Sequence, residues 1–264
     1  MKLSIITVCK NAELTIEKTI SSVLNQTFTD YEYIIVDGAS TDKTMEVVER
    51  YSAQISKIIS EPDNGIYQAM NKGISLSEGE YLMFLNSGDY LVNSKLLNKL
   101  FDLNLKEDIV YGDTIVKLRN RLLIRKNSPR NVTKRYMFYD TIPHPAAIIK
   151  KKLFIQYGNY DVNFLLAADF EFFLRALFKY KCTKSHLNFP LCVFNLDGIS
   201  SDSKNKKKNH NERNEALKLH LTKSEFNTLS FFKPLFLIFF KYLRYAYYIL
   251  MSRFYKKYLG LNNE

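Results

Sequence analysis

The run Tyr81-Leu82-Met83-Phe84-Leu85 is apolar throughout and stops abruptly at Asn86-Ser87-Gly88-Asp89. A short, continuous apolar run is the pattern of a strand covered on both faces, as in the middle of a parallel sheet. Small polar residues cannot continue such a strand, so they emerge at its carboxyl edge, where open α/β sheets place their ligands. The same pattern occurs three times upstream. Leu3 to Val8 ends close to Asn11, Tyr33 to Val36 ends at Asp37-Gly38-Ala39-Ser40-Thr41-Asp42, and Ile55 to Ile59 ends at Glu61-Pro62-Asp63-Asn64-Gly65. Leu14, Ile16, Ile20, Val23 and Leu24, then Met45, Val47 and Val48, then the stretch from Ile66 to Leu76, read as the intervening helices. Alternating strands and helices predict right-handed crossovers, a mostly parallel sheet, and Asn11, Asp37, Asn64 and Asp89 on one rim. An exposed Asp89 beside a glycine suits a hydrated divalent cation on a diphosphate, although the same four residues also make an ordinary turn.

Downstream the pattern changes. A short helix from Leu96 to Phe101 precedes strands from Asp108 to Lys117 and from Arg121 to Lys126. Pro143-His144-Pro145 leads into a strand from Ala146 to Ile149 and a helix from Lys151 to Tyr157. Ala167 to Tyr180 reads as one helix with Phe170, Phe173, Leu174 and Leu177 on a face, and Cys182 to Phe194 closes the sheet. Neither G-x-G-x-x-G nor G-x-x-x-x-G-K-[ST] follows any strand, which disfavours dehydrogenases and P-loop enzymes. Cys9, Cys182 and Cys192 show no metal-ligand spacing, and their odd number suits a reducing compartment. The apolar residues before Lys10 are too few for a signal-peptide core, so a cytoplasmic protein is expected.

The formal net charge of +11 calls for an anionic partner, and the excess lies between Lys204 and Lys257. Because those lysines are not interleaved with a stacking sheet, nucleic acid is disfavoured. From Phe231 to Phe254 aromatic residues alternate with Lys233, Lys241 and Arg244, which interrupt any span long enough to cross a bilayer. Beyond Pro234, at helical spacing, Lys241, Arg244, Ser252 and Lys256 share one side, as in a helix lying in a lipid headgroup plane. The same helix also fits against the catalytic domain or against a second copy in a homodimer. The expected organisation is a catalytic domain over 1–200 (donor-binding half 1–100 and acceptor-side half 101–200), a basic mobile segment or helix over 201–222, and a basic aromatic helical tail over 223–264.

Four motifs carry a family resemblance: Thr7-Val8-Cys9-Lys10-Asn11; Val36 to Asp42; Asp63-Asn64-Gly65-Ile66-Tyr67-Gln68-Ala69-Met70-Asn71-Lys72-Gly73-Ile74; and Phe84-Leu85-Asn86-Ser87-Gly88-Asp89. In order and spacing the chain resembles a small bacterial family 2 glycosyltransferase of the GT-A fold, a three-layer α/β/α design. The resemblance implies that Thr7 and Asn11 border the nucleotide and that Asp37 accepts from a uracil or thymine N3–H. It further implies that Asn71 and the helix from Ile66 line the ribose and diphosphate, with Met70 where many members have arginine. Asp89, near Asn86, would hold a divalent metal, Mn2+ or Mg2+. Most members carry acids where this chain has Asn86 and Gly88. Ala167-Ala168-Asp169 is similar to the family's acidic segment, which implies that Asp169 is the catalytic base. Direct displacement at an anomeric carbon needs one such group to deprotonate the acceptor hydroxyl, and the product is inverted. From the residues alone Asp169 is equally a first-turn carboxylate facing a helix dipole. Glu171 is the fallback base, and His144 either touches substrate or is a satisfied buried histidine.

The implied reaction moves a sugar from a UDP- or TDP-type donor to a glycan or lipid-linked hydroxyl in cell-surface polysaccharide or lipopolysaccharide synthesis, at the cytoplasmic face of the inner membrane. Two other readings compete with it. A sugar nucleotidyltransferase would begin with a glycine-rich loop, which Cys9 to Thr19 lacks. A non-catalytic peripheral membrane scaffold would explain Asn86 and Gly88, and would release no UDP or TDP from a donor.

Overall fold

Residues 1–117, 123–195 and 203–231 are described in a computed structural model of the chain. Strands β1 (Leu3–Cys9), β2 (Tyr31–Asp37) and β4 (Tyr81–Phe84) are buried along nearly their whole length, as their unbroken apolar composition requires. Strand β3 (Lys57–Ser60) is only partly covered and lies at one edge. Helices α1 (Ile16–Leu24), α2 (Thr44–Glu49) and α3 (Ile66–Leu76) make the crossovers, each pressing its apolar stripe on the sheet: Ile16, Ile20 and Val23 from α1, Val47 and Val48 from α2, Ala69, Met70 and Ile74 from α3.

The remaining elements are β5 (Tyr90–Leu91), α4 (Leu96–Phe101), β6 (Ile109–Lys117), β7 (Leu123–Lys126), α5 (Lys134–Tyr139), β8 (Ala147–Lys150), α6 (Lys151–Tyr157), α7 (Ala168–Leu174), β9 (Lys184–Asn195) and α8 (Lys206–His220). The strand order is β3-β2-β1-β4-β8-β6-β9-β5, with β7 paired to β6. β3, β2, β1 and β4 are mutually parallel, so the parallel expectation holds for the first half. Beyond β4 the sheet is mixed: β8 runs antiparallel to both β4 and β6, β6 is parallel to β9, and β5 is antiparallel to β9.

Register decides what reaches the rim. Cys9 pairs with Asp37 and Asp37 with Ser60, so three adjacent strands end level and place those side chains together. Thr7 lies two residues inside.

The helix expected over 167–180 stays α-helical only to Leu174, after which Arg175–Lys179 form a π turn closed by the Tyr180 N–H on the Arg175 carbonyl. The Arg175 guanidinium is drawn to the carbonyls of Tyr157, Gly158 and Asn159 at the end of α6, and to Glu171. It closes that helix end.

The chain divides into two compact units, Met1–His220 and Leu221–Glu264. Within the first, of the two expectations for 201–222, a mobile basic segment or a helix, Lys206–His220 takes the helical one as α8, which buries Glu212, Ala216 and Leu217. In the second, a helix over 223–231 opens on a reciprocal cap: the Thr222 hydroxyl accepts from Glu225 N–H and the Glu225 carboxylate from Thr222 N–H. The expected amphipathic helix of the aromatic tail lies, after Phe231, outside the described residues. Among the described residues, no helix is long and apolar enough to cross a membrane.

Candidate active site

The floor of the rim is Asp37, which is fully buried at the end of β2. Its Oδ2 accepts from Ser40 N–H at 2.9 Å and Ser60 Oγ at 2.7 Å. Oδ1 accepts from the Ser40 hydroxyl and from Cys9 Sγ at 3.6 Å. A carboxylate has about four acceptor positions, and here each has a partner. Burial, with the Asp37 charge beside it, pushes the Cys9 thiol up, so it stays protonated and donates. Base recognition by Asp37 therefore requires one serine to release its contact.

Around this floor the loops brace one another. Asn11, in a left-handed conformation (φ 50°), accepts from Thr41 N–H at 2.9 Å and donates its own N–H to Ser40 Oγ at 2.8 Å. Ala39 also has positive φ (55°), and the backbone is strained at both residues. Gly38 leaves room for the Asp63 carboxylate, which a Cβ there would force to swing away. Asp63, half-buried, accepts from Gly65 N–H at 3.0 Å and is a rim carboxylate to which sequence reading, though it includes Asp63 in a turn and a family motif, assigns no role. Counting strand register from the Asp63-Asn64-Gly65 turn would have found it.

Thr7 does not border this rim. It is fully buried, donates to the Leu85 carbonyl at 2.7 Å and lies 3.0 Å from the Tyr33 hydroxyl. The strand runs to Cys9, so Cys9 occupies the edge position.

Asp89 is a second correction. Gly88 turns the chain through φ 99°, with its N–H held by Thr19 Oγ1 at 2.9 Å, and this sends the Asp89 side chain inward. Only 4% exposed, the carboxylate accepts from Asn195 N–H at 2.9 Å and ties the turn to β9. Burial raises its pKa to about 7. The outward groups of the turn are Asn86, whose buried Oδ1 has no partner among the described residues, and Ser87, which is 3.0 Å from Thr15 Oγ1. Among the described residues no group of three or more His, Cys, Asp or Glu side chains is placed to hold a metal ion. The amide oxygen of Asn86 and the hydroxyl of Ser87 are neutral donors that bring no charge to a divalent cation, and the carboxylate expected to hold it is buried on Asn195. This donor set does not fit a metal held by protein acids.

Asp169 lies in the first turn of α7, half-buried, with Oδ1 accepting from the Tyr67 hydroxyl of α3 at 2.7 Å. Tyr67 stands at the α3 end that leaves the Asp63-Gly65 turn, so α3 joins rim and carboxylate. A shallow, solvent-open cleft reaches Tyr67, lined by Asn64, Gly65, Ile66, Tyr67 and Gln68 at the start of α3 and by Val162, Phe164 and Leu165. Burial pushes the Tyr67 phenol well above its usual range, and the Asp169 charge adds to the shift. Tyr67 thus stays a donor. The fallback base Glu171 is buried between Arg175 (3.1 Å) and His220 (2.8 Å) and unavailable.

His144 and Asn71 serve the wall. His144 is stacked on Phe84 with ring centres 5.0 Å apart, and its Nε2 lies 2.8 Å from the Tyr160 hydroxyl. Burial lowers its pKa and favours the neutral ring. Asn71 donates to the Tyr160 carbonyl at 2.9 Å and accepts from Tyr160 N–H at 3.1 Å, so its amide holds backbone and is not free for a ribose. Met70 is fully buried. The proximity of 144 and 160 to Asp169 carries no sequence signal, because it is made by ring packing.

The family model for glycosyl transferase family 2 matches residues 4–161. A PGL/p-HBAD biosynthesis glycosyltransferase of Mycobacterium bovis is 27% identical over 205 residues, covering 75% of this chain and 78% of that protein. An uncharacterized glycosyltransferase of Mycobacterium tuberculosis is 30% identical over 202 residues, covering 75% and 76%. Among solved structures, S. aureus TarS in complex with UDP superposes with a TM-score of 0.65 at 20% identity, covering 87% of this chain and 69% of that one. The mannosyltransferase PcManGT from Pyrobaculum calidifontis, in complex with GDP-Man and Mn2+, gives 0.59 at 17% identity over 82% and 61%. The match to the family model over most of the sheet and the agreement of the sheet with these structures establish that the chain is a glycosyltransferase of family 2 with the GT-A fold.

Proposed function

We propose that this enzyme transfers a sugar, with inversion, from a UDP- or TDP-linked donor to a hydroxyl of a glycan or lipid-linked acceptor in cell-surface polysaccharide synthesis. The observation that carries the reading is the Tyr67–Asp169 pair beside the cleft. Tyr67 occupies Oδ1 and leaves Oδ2 of Asp169 for an incoming hydroxyl. As the acceptor oxygen bonds to the anomeric carbon, the bond from that carbon to the diphosphate oxygen breaks, the hydroxyl proton passes to Asp169, and the nucleoside diphosphate leaves with the bonding pair. A single base on the face opposite the leaving group inverts the centre. The rim loops at Asn11, Asp37 and Asp63 take the nucleotide, with Ser40 or Ser60 yielding its hold on Asp37 to the base.

No step is assigned to a protein-held metal, since the turn at Asn86 lacks the acids for one. The acceptor assignment is supported by the name of the mycobacterial relatives, and a position on the cytoplasmic membrane face by the basic aromatic tail. Thermal-shift titration with UDP, TDP and GDP, each with and without Mn2+, tests base and metal together; stabilisation by GDP alone would overturn the donor assignment. Product configuration read by NMR from an α-linked donor tests inversion, and an α-linked product would refute it.

A further inference from the structure

α7 begins without a cap of its own. The cap position is Ala167, and the residue three further on, where a Glu or Gln would reach back to the cap amide, is Phe170. The missing acceptor comes from α8. Oε2 of Glu212, a buried side chain, accepts from Leu166 N–H at 2.7 Å and from Ala167 N–H at 3.1 Å. Two further contacts tie α8 to the same helix: Arg213 stands over the Phe170 ring at 4.4 Å while donating to the Asp140 carbonyl at 2.7 Å, and His220 lies 2.8 Å from Glu171. Asp169 is two residues beyond the capped amide. Its backbone is therefore anchored by a carboxylate from outside the family-matched residues 4–161.

We propose that Glu212 is a positioning residue for the transfer reaction: by capping the Leu166–Ala167 amides from α8 it sets where Asp169 meets the acceptor hydroxyl. The proposal rests on Asp169 being the base. Displacing a reacting group by about 1 Å can lower turnover about 100-fold, so a cap that fixes the first turn of α7 controls rate and leaves the nucleotide rim untouched.

The test uses the full chain and three variants, Glu212→Ala, Glu212→Gln and Asp169→Asn. Turnover is read as UDP or TDP released from UDP-glucose, UDP-N-acetylglucosamine or TDP-glucose, and hydrogen exchange is followed by mass spectrometry. Glu212→Ala is expected to lower kcat about tenfold or more with donor KM unchanged, and to speed exchange in peptides covering 164–170 while peptides from β1 and β4 keep their rates. Glu212→Gln keeps an acceptor oxygen at the same reach and is expected within about threefold of wild type. Unchanged exchange at 164–170 in Glu212→Ala overturns the proposal whether or not a donor is turned over. So does a loss of donor affinity matching the loss of kcat, which would mark Glu212 as a support of the whole fold. Full turnover by Asp169→Asn would remove the base assignment instead, whatever the Glu212 variants do.

Discussion

Residues 1–91 close their side of the cleft with hydrogen bonds between neighbouring loops, whereas residues 144–220 close theirs with packed rings and a helix cap borrowed from a later segment. On the first side Asn11, Ser40, Thr41 and Ser60 lie at the ends of adjacent parallel strands, and their partners are polar atoms one strand away. On the second, His144, Phe154, Tyr160 and Phe172 form a contiguous wall packed on Phe84 of β4, with Phe154 and Phe172 stacked at 4.4 Å. A rim of hydrogen bonds can rearrange to admit a ligand by exchanging one partner for another, as the proposed role of Asp37 requires. A packed wall cannot, since each ring displaced leaves a void. Under the proposed mechanism the first side is the one that adapts to the donor and the second is the one that fixes Asp169.

The most severe way to break this contrast is Asp169→Asn, which is expected to reduce turnover by about 10²–10⁴ while nucleotide affinity by calorimetry stays within about twofold. Asp37→Ala attacks the opposite side. It removes the acceptor shared by half-buried Ser40 and exposed Ser60, whose freed donors water can reach, at a cost of about 0.5–1.5 kcal/mol for each lost hydrogen bond, and is expected to lower unfolding stability in urea and raise donor KM with kcat at saturation preserved. A fall in kcat equal to that of Asp169→Asn would erase the distinction between the sides. Tyr67→Phe tests the link between them. Loss of a hydrogen bond to a charged group, about 1.5–3 kcal/mol, should reduce kcat at least about tenfold without affecting nucleotide binding, and full activity would show that the 2.7 Å contact does not hold the base.

The smallest effect sharpens the corrected role of Asp89. With its pKa raised from 3.8 to about 7 by burial, the folded protein keeps a proton that the unfolded chain releases. This contribution to stability is complete below about pH 4, declines as pH rises to 7, and is level above. Asp89→Asn removes that titration and should flatten the stability profile between pH 4 and 7, as read by urea midpoints. Equal slopes for both proteins would sink the assignment of Asp89 to the core.

Much of the donor side was legible in the chain because its signals are local. An apolar run ended by Asp37-Gly38 or Asn86-Ser87-Gly88 specifies strand, edge and turn within ten residues, and parallel register brings the turns together. Side-chain direction was less legible. Thr7 and Asp89 both sit in rim motifs, yet one is two residues inside the strand end and the other is swung inward by the positive φ of Gly88. Asn71 and His144, expected at the ligand, are drawn instead to Tyr160, a partner 89 residues away for one and 16 for the other.

The amino-acid sequence alone determined the parallel half-sheet, the polar rim and the helix carrying Asp169, since apolar period, turn residues and glycine placement act over a few residues and do not depend on distant chain. Tertiary structure alone decided which of those polar groups face the cleft. That choice depends on pairings such as Tyr67 with Asp169 and Glu212 with the α7 amides, separated by 102 and by 45 or 46 residues. Burying a polar atom is costly unless a partner meets it, and those partners arrive only when the whole sheet and its helices have packed.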